Sequence, residues 1–278
     1  MMETVRPHRE ICVTGTKTID QLFKVAAEFV KARAVRACAT SSLIDQRLVI
    51  GVLASSKTLR GLANHWPMRY PRCDTLKRLF ALGCHAAEMR LHLNISDTDR
   101  LVEEVELAHW MCGERLSGIQ LNMCWPPEYL LTELHRRRPE TDLLLQIGAN
   151  ALLEFEATHG GAIPFYDVKC IVARVGQYGS SINRVLLDPS GGCGVPMNVD
   201  RLRPVVEGLN HAFPNLGIGV AGGLCAETLL SIAPLIEACP TLSIDAEGRL
   251  RNPDTDELDM GRVEGYLTAA FDLFYPQA

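Results

Sequence analysis

The chain has 278 residues, 47% of them hydrophobic and 22% charged, with a formal net charge of −5. That composition supplies a large apolar core and excludes a disordered chain, while the negative balance and scattered basic residues exclude the broad basic footprint of a nucleic-acid binder. No run approaches the roughly 18 apolar residues of a membrane span; the ten cysteines form no Cys-x-x-Cys pair and the first ten residues carry no apolar stretch, so a reducing cytoplasmic setting is expected.

Ile11-Cys12-Val13 begins a series of short buried runs, and the helix after it starts at Thr18 or Asp20, with Leu22, Val25, Ala26, Phe29 and Val30 on one face. Leu48 to Leu53 reads as the second strand, and residues 56–70 as an enlarged loop rich in Gly, Asn, Trp and Pro. Glu88 to Leu93 is the third strand. The following helix is capped by Asp97 or Asp99 and faced by Leu101, Val102, Val105 and Ala108. Ser117 to Leu121 is the fourth. Pro127 then enters a helix lined by Leu130, Leu131 and Leu134, whose Arg136-Arg137-Arg138 run meets the negative end of the macrodipole. Leu143 to Ile147 is the fifth strand, and residues 149–167, around His159, are a second enlarged loop. Three last runs, Val185 to Leu187, Gly217 to Val220 and Leu242 to Ile244, each end in a Gly-rich or acidic turn.

Eight strands alternating with helices predict an α/β fold, a single (β/α)8 TIM barrel extending over residues 1–278 as one domain. An open doubly wound sheet would have the same alternation, but no Gly-x-Gly-x-x-Gly follows the early strands. In a barrel the turns after the strands share one rim, where active sites sit.

Three of those turns carry chemistry. Ala221-Gly222-Gly223-Leu224, with Ala226 opening a helix, fits a phosphate cradle, because glycines admit close backbone approach and a helix start offers N–H groups; a plain tight turn is the other reading. Asp188 ends a buried run before Pro189, so it is either a rim carboxylate able to act as general acid or the anchor of an Asx-type turn. Cys12 is either an activated thiol at the end of the first strand or a small packing side chain.

These residues resemble a known family, the phosphoribosylanthranilate isomerases of tryptophan biosynthesis. Glu10-Ile11-Cys12-Val13 is similar to its Lys-Ile-Cys-Gly, and Arg69-Tyr70-Pro71 to its Arg-Tyr pair ahead of a Pro. Gln120-Leu121-Asn122-Met123 stands where the family has Gln-Leu-His-Gly. Leu186-Leu187-Asp188-Pro189 with Gly191-Gly192-Cys193-Gly194 parallels the sixth strand and its turn, and Ala221 to Leu224 matches the seventh. The resemblance implies an Amadori rearrangement of a small phosphorylated ribosylamine, without metal or organic cofactor. It makes Asp188 the acid that protonates the ribose ring oxygen and Cys12 the base that removes the C2′ proton. Arg69 would pair with the anthranilate carboxylate, and Asn122, Gly191, Gly192, Gly222, Gly223, Gly248 and Arg249 would contact the substrate. No nucleic-acid or membrane partner is implied, and the sequence does not indicate an oligomeric state.

The eighth strand departs from the family's Asp-Val-Ser-Ser-Gly-Val-Glu: Asp245-Ala246-Glu247-Gly248-Arg249 places a carboxylate in the turn, which should repel phosphate unless Arg249 or Arg251 offsets it. Asn122 and Val13 replace the family's His and Gly. A divergent or catalytically silent barrel that binds a sugar phosphate or nucleotide is therefore the second reading. An enzyme using His92, His159 or Glu247 instead is the third.

Overall fold

The structure, a computed structural model, describes residues 8–37, 44–123, 125–157, 165–190 and 194–275. Eight strands pair in parallel and close on themselves: β1 (His8–Thr14), β2 (Asp45–Ser55), β3 (Ala87–Asn94), β4 (Leu116–Leu121), β5 (Asp142–Gly148), β8 (Arg184–Asp188), β9 (Gly217–Ala221) and β10 (Ser243–Ala246). This is the (β/α)8 barrel the sequence predicts. The surrounding helices include α1 (Ile19–Ala37), α3 (Cys73–Leu82), α4 (Leu101–Cys112), α5 (Glu128–Arg137), α7 (Val168–Tyr178), α8 (Val199–Ala212), α9 (Ala233–Ala238) and α10 (Met260–Phe274). No described helix is long and apolar enough to cross a membrane.

Local chemistry explains the helix ends. Thr18 Oγ1 accepts from the Gln21 N–H at the start of α1, and Asp97 caps a 3-10 turn, Thr98–Arg100, that leads into α4. Arg136 and Arg137 at the end of α5 bind Glu133, and Arg138 binds Glu106, so the basic run is absorbed by its own surface. Val30, expected on the inner face of α1, is exposed; Leu22, Val25, Ala26, Phe29 and Ala32 are the buried residues of that face.

Both enlarged loops contain short elements. The first opens with α2 (Ser56–Leu59), held by a reciprocal Ser55–Thr58 cap. The second contains α6 (Ala149–Leu153) and an antiparallel pairing of β6 (Glu156–Ala157) with β7 (Phe165–Tyr166); His159 lies outside the described residues.

Strand alternation divides the barrel into two environments. Ile11, Val13, Ile50, Leu91, Ile119, Leu145, Leu187, Val220 and Ile244 join the helices in one continuous outer core. Within the barrel a separate apolar trio, Leu144, Leu186 and Ala221, packs together, and Val49 and Leu53 are buried on the inner face of β2. The interior also holds a charged cluster. Arg90 forks onto Glu10 (2.7 and 2.9 Å) and reaches Asp142 (2.8 Å), while Arg184 binds Asp142 (2.9 Å) and Glu10 (3.2 Å). Two glycines leave room for these groups: a Cβ on Gly118 would stand 2.6 Å from the Asp142 carbonyl oxygen, and one on Gly217 2.7 Å from Arg184 Cγ. Burial acts upward on the Glu10 carboxyl, but Arg90 and Arg184 outweigh it and hold the group far below the usual carboxylate range. The charged plug closes the lower part of the barrel and leaves the other end for a site.

Candidate active site

At the carboxyl ends of the strands lies a cavity of about 770 Å³, within the size range of small-molecule sites. Asn94, Gly148, Asp188 and Ala221 end their strands on its wall; Asn122 follows β4, and Glu247, Gly248 and Arg249 follow β10. Trp66, Arg69 and Tyr70 enter from the first enlarged loop.

Asp188 is buried on this wall. Its Oδ2 accepts from Gln146 Nε2 (2.7 Å), and its Oδ1 accepts from both the N–H (3.1 Å) and the hydroxyl (2.7 Å) of Ser190. The bond to the N–H two residues on is an Asx-type turn, so the two readings of Asp188 coincide: the turn fixes a carboxylate that lines the cavity.

Cys12 occupies a different level. β1 continues two residues beyond it to Thr14, and Cys12 lines a separate cavity of only about 20 Å³ under the floor. Burial first, then the neighbouring Asp245, pushes its thiol well above the ordinary range, which disfavours the thiolate that a base requires. The expected position at the strand's rim end is thus corrected. Asp188 and Cys12 do not share the large cavity's lining.

Asp245, adjacent to Cys12 in the β1–β10 register, lines both cavities. Its Oδ1 accepts from the Thr14 hydroxyl (2.8 Å). Burial raises its carboxyl to about 6; hydrogen bonds from Thr14 and Cys12 oppose the rise, and the charges of Glu247 and Asp188 add to it. A carboxyl group titrating there can exchange protons near neutral pH. Sequence reading placed Asp245 in a chemically interesting turn without giving it a role. The missed signal was alternation, since Ser243 and Asp245 bracket the outward-facing Ile244.

His92 also borders the cavity. Burial and then the Arg90 charge lower it to about 3, so the ring is neutral. One donor atom each from Cys12, His92 and Asp245 lies within 4.8 Å of the others, a spacing that could hold a metal ion. Thr14 Oγ1 instead links all three, at 3.4 Å from Cys12 Sγ, 3.4 Å from His92 Nδ1 and 2.8 Å from Asp245, so a hydroxyl organises the cluster. Gly51 makes this possible, because a Cβ there would come within 2.8 Å of His92 Nε2.

Arg69 lies at the rim but is engaged. Its Nε and Nη2 fork onto Asp256 (2.8 and 3.0 Å), and Nη1 is 3.6 Å from Glu247. Arg251 Nη2 lies 3.4 Å from the same Glu247 oxygen, Oε1, and its Nη1 donates to the Asp256 carbonyl oxygen at 2.8 Å. Glu247 is therefore offset by Arg251 and Arg69. Burial raises its carboxyl, and the two guanidinium groups oppose that rise.

Gly222 (φ 117°) and Gly223 (φ 66°) adopt the left-handed conformation expected of a Gly-rich turn. At Gly223 packing adds its own demand, since a Cβ would fall 2.6 Å from the Pro196 nitrogen. The helix expected directly after this turn is displaced: residues 225–228 form a turn tied by Thr228, then come a 3-10 segment, Leu229–Ile232, and α9. No α-helix N-terminus directly follows Gly223. Gly248 begins the 3-10 turn Gly248–Leu250, and the exposed Arg249 makes no ion pair within 4 Å among the described residues. Asn122 borders the cavity and accepts from Gln120 Nε2 (3.0 Å). Gly191 and Gly192 lie outside the described residues.

Neither a protein-family model nor a curated protein sequence matches the chain. Among solved structures, a phosphoribosyl anthranilate isomerase from Thermus thermophilus matches with a TM-score of 0.58 and 11% identity, covering 95% of this chain and 99% of that one. TrpF from Jonesia denitrificans matches with a TM-score of 0.57 and 14% identity, covering 97% and 100%. A phosphoribosyl anthranilate isomerase in complex with reduced 1-(o-carboxyphenylamino)-1-deoxyribulose 5-phosphate gives 0.54 and 12%, covering 94% and 98%. At these identities the likeness concerns the fold. The chain has the (β/α)8 barrel fold of the phosphoribosylanthranilate isomerases.

Proposed function

We propose that the protein is an acid–base isomerase converting a phosphorylated ribosylamine, an aldose derivative, into the corresponding aminoketose. The observation that carries this reading is a pair of buried carboxyl groups, Asp188 and Asp245, on one substrate-sized cavity, the second raised to about 6. Asp188 protonates the ring oxygen as its bond to C1′ breaks, and the nitrogen lone pair forms a C1′=N iminium. Asp245 removes the C2′ proton, giving an enolamine that tautomerises to the ketone with a proton returned to C1′. Hydrogen moves within the substrate framework, so no external oxidant or reductant enters the balance. Gly222, Gly223, Gly248 and Arg249, grouped at the ends of the neighbouring strands β9 and β10, form the phosphate end. The isomerase fold supports this reading, and Asp245 takes the role that the resemblance assigns to Cys12.

A test is NMR-monitored conversion of N-aryl phosphoribosylamines, following loss of the anomeric proton signal and growth of the ketose C1′ methylene. Turnover by the protein and a fall of about 100-fold or more in Asp188→Asn are expected for loss of a general acid. Absence of turnover across the series, or an undiminished Asp188→Asn, contradicts the reading. The second reading, a binding barrel without catalysis, is favoured by the burial of Cys12 beneath the large cavity, and is the outcome if phosphorylated ligands bind without conversion.

A further inference from the structure

We infer that the substrate presents an uncharged hydrogen-bonding group, such as a carboxamide or an amino group, to the Arg69 end of the cavity, and carries no carboxylate there. The inference rests on the sugar-phosphate reading above and names the aglycone class for that same site. Arg69 is the cation that a substrate carboxylate would meet at this end, but a carboxylate already takes its fork: Asp256 binds Nε and Nη2 together, in the bidentate geometry that a ligand would need. The remaining edge is faced by Glu247 at 3.6 Å. Arg69 and Arg251 are balanced by Glu247 and Asp256, two cations against two anions, so an added carboxylate would enter a neutral cluster and meet Glu247.

The other walls are suited to neutral donors and acceptors. Asn94, Gln120, Asn122, Gln146 and Asn150 line the cavity with amide groups. Glu247 also lines the cavity, but its Oε1 is buried between the Arg69 and Arg251 guanidinium groups, so no cation is left over at this end for a ligand carboxylate. Trp66 is largely exposed at the mouth with its ring within 5.9 Å of the Arg69 guanidinium, a flat surface on which a planar aglycone can stack.

The experiment measures calorimetric affinities for two reduced N-aryl-1-amino-1-deoxypentitol 5-phosphates that differ only in an ortho-carboxylate or ortho-carboxamide. The carboxamide probe should bind at least about tenfold tighter, the factor that corresponds to one lost charge-assisted contact of about 1.4 kcal/mol. Asp256→Asn, which frees the Arg69 fork while preserving its shape, should narrow or reverse that preference. Equal or tighter binding of the carboxylate probe by the unmodified protein overturns the inference and leaves the sugar-phosphate reading standing. An unchanged preference in Asp256→Asn also overturns it, because the fork would then not be its cause. Failure of both probes to bind removes the sugar-phosphate reading itself, and the inference falls with it.

Discussion

Asp245 shows how one buried group can serve function at the expense of stability. Its carboxyl rises from the usual 3.8 to about 6 chiefly because burial penalises its charge, so the folded protein holds this proton more tightly than the unfolded chain does. The stabilising effect is complete below pH 4 and is lost as pH rises through 6. Asp245→Asn carries no such charge, and its Oδ1 can still accept from Thr14. Urea unfolding should therefore find the variant gaining about 2–3 kcal/mol on the parent between pH 4 and pH 8. A constant difference across that range contradicts the assignment. Asp188 was legible from sequence because a carboxylate at a strand end before Pro stands out. Asp245 was harder to see because the last run was read as ending at Ile244, whereas the strand continues to Ala246 and places Ser243 and Asp245 on its inner face.

Among the elements, the strands were legible and their inner faces were not. The last runs, such as Val185 to Leu187, read as buried on both sides, and they are, but the inner faces of the barrel strands also hold Arg90, Gln120, Gln146 and Arg184. Burial inside a barrel is not apolarity when the interior holds matched charges. The turn after β9 was read correctly as Gly-rich, while the helix expected directly behind it begins later, because Thr228 bonds to Cys225 and Gly223 and keeps residues 225–228 as a turn. Gly223 has two constraints at once, a φ of 66° and the Pro196 backbone against its α-carbon. Gly223→Ala should lower stability by about 1–3 kcal/mol in thermal or urea unfolding, the usual cost of overpacking at a strained position. A loss below about 0.5 kcal/mol would show that the β8–α8 connection yields freely.

At the scale of the molecule, the barrel is an apolar shell around an ionic plug with a cavity above it. The alternation of strands and helices gave the topology, and the ordered motifs gave the resemblance. The plug was invisible because Glu10, Arg90, Asp142 and Arg184 are far apart in sequence and meet only when the barrel closes. Removing one member strands its partners' charges: Arg90→Met should cost about 3–5 kcal/mol, and adding Glu10→Gln should recover part of it. Additive losses would mean that the two groups are energetically independent. The central claim is that Asp245, beside Cys12 on the neighbouring strand, supplies the base. Its most direct test is the pH dependence of kcat/KM in the parent, Cys12→Ala and Asp245→Asn, using the phosphorylated arylamine that the parent turns over best. The account predicts that parent activity falls as pH drops through about 6, where Asp245 gains its proton. Cys12→Ala should keep that limb with activity within about tenfold, and Asp245→Asn should lose the limb and at least about 100-fold in rate. Loss of activity in Cys12→Ala with an active Asp245→Asn that retains the limb would contradict it.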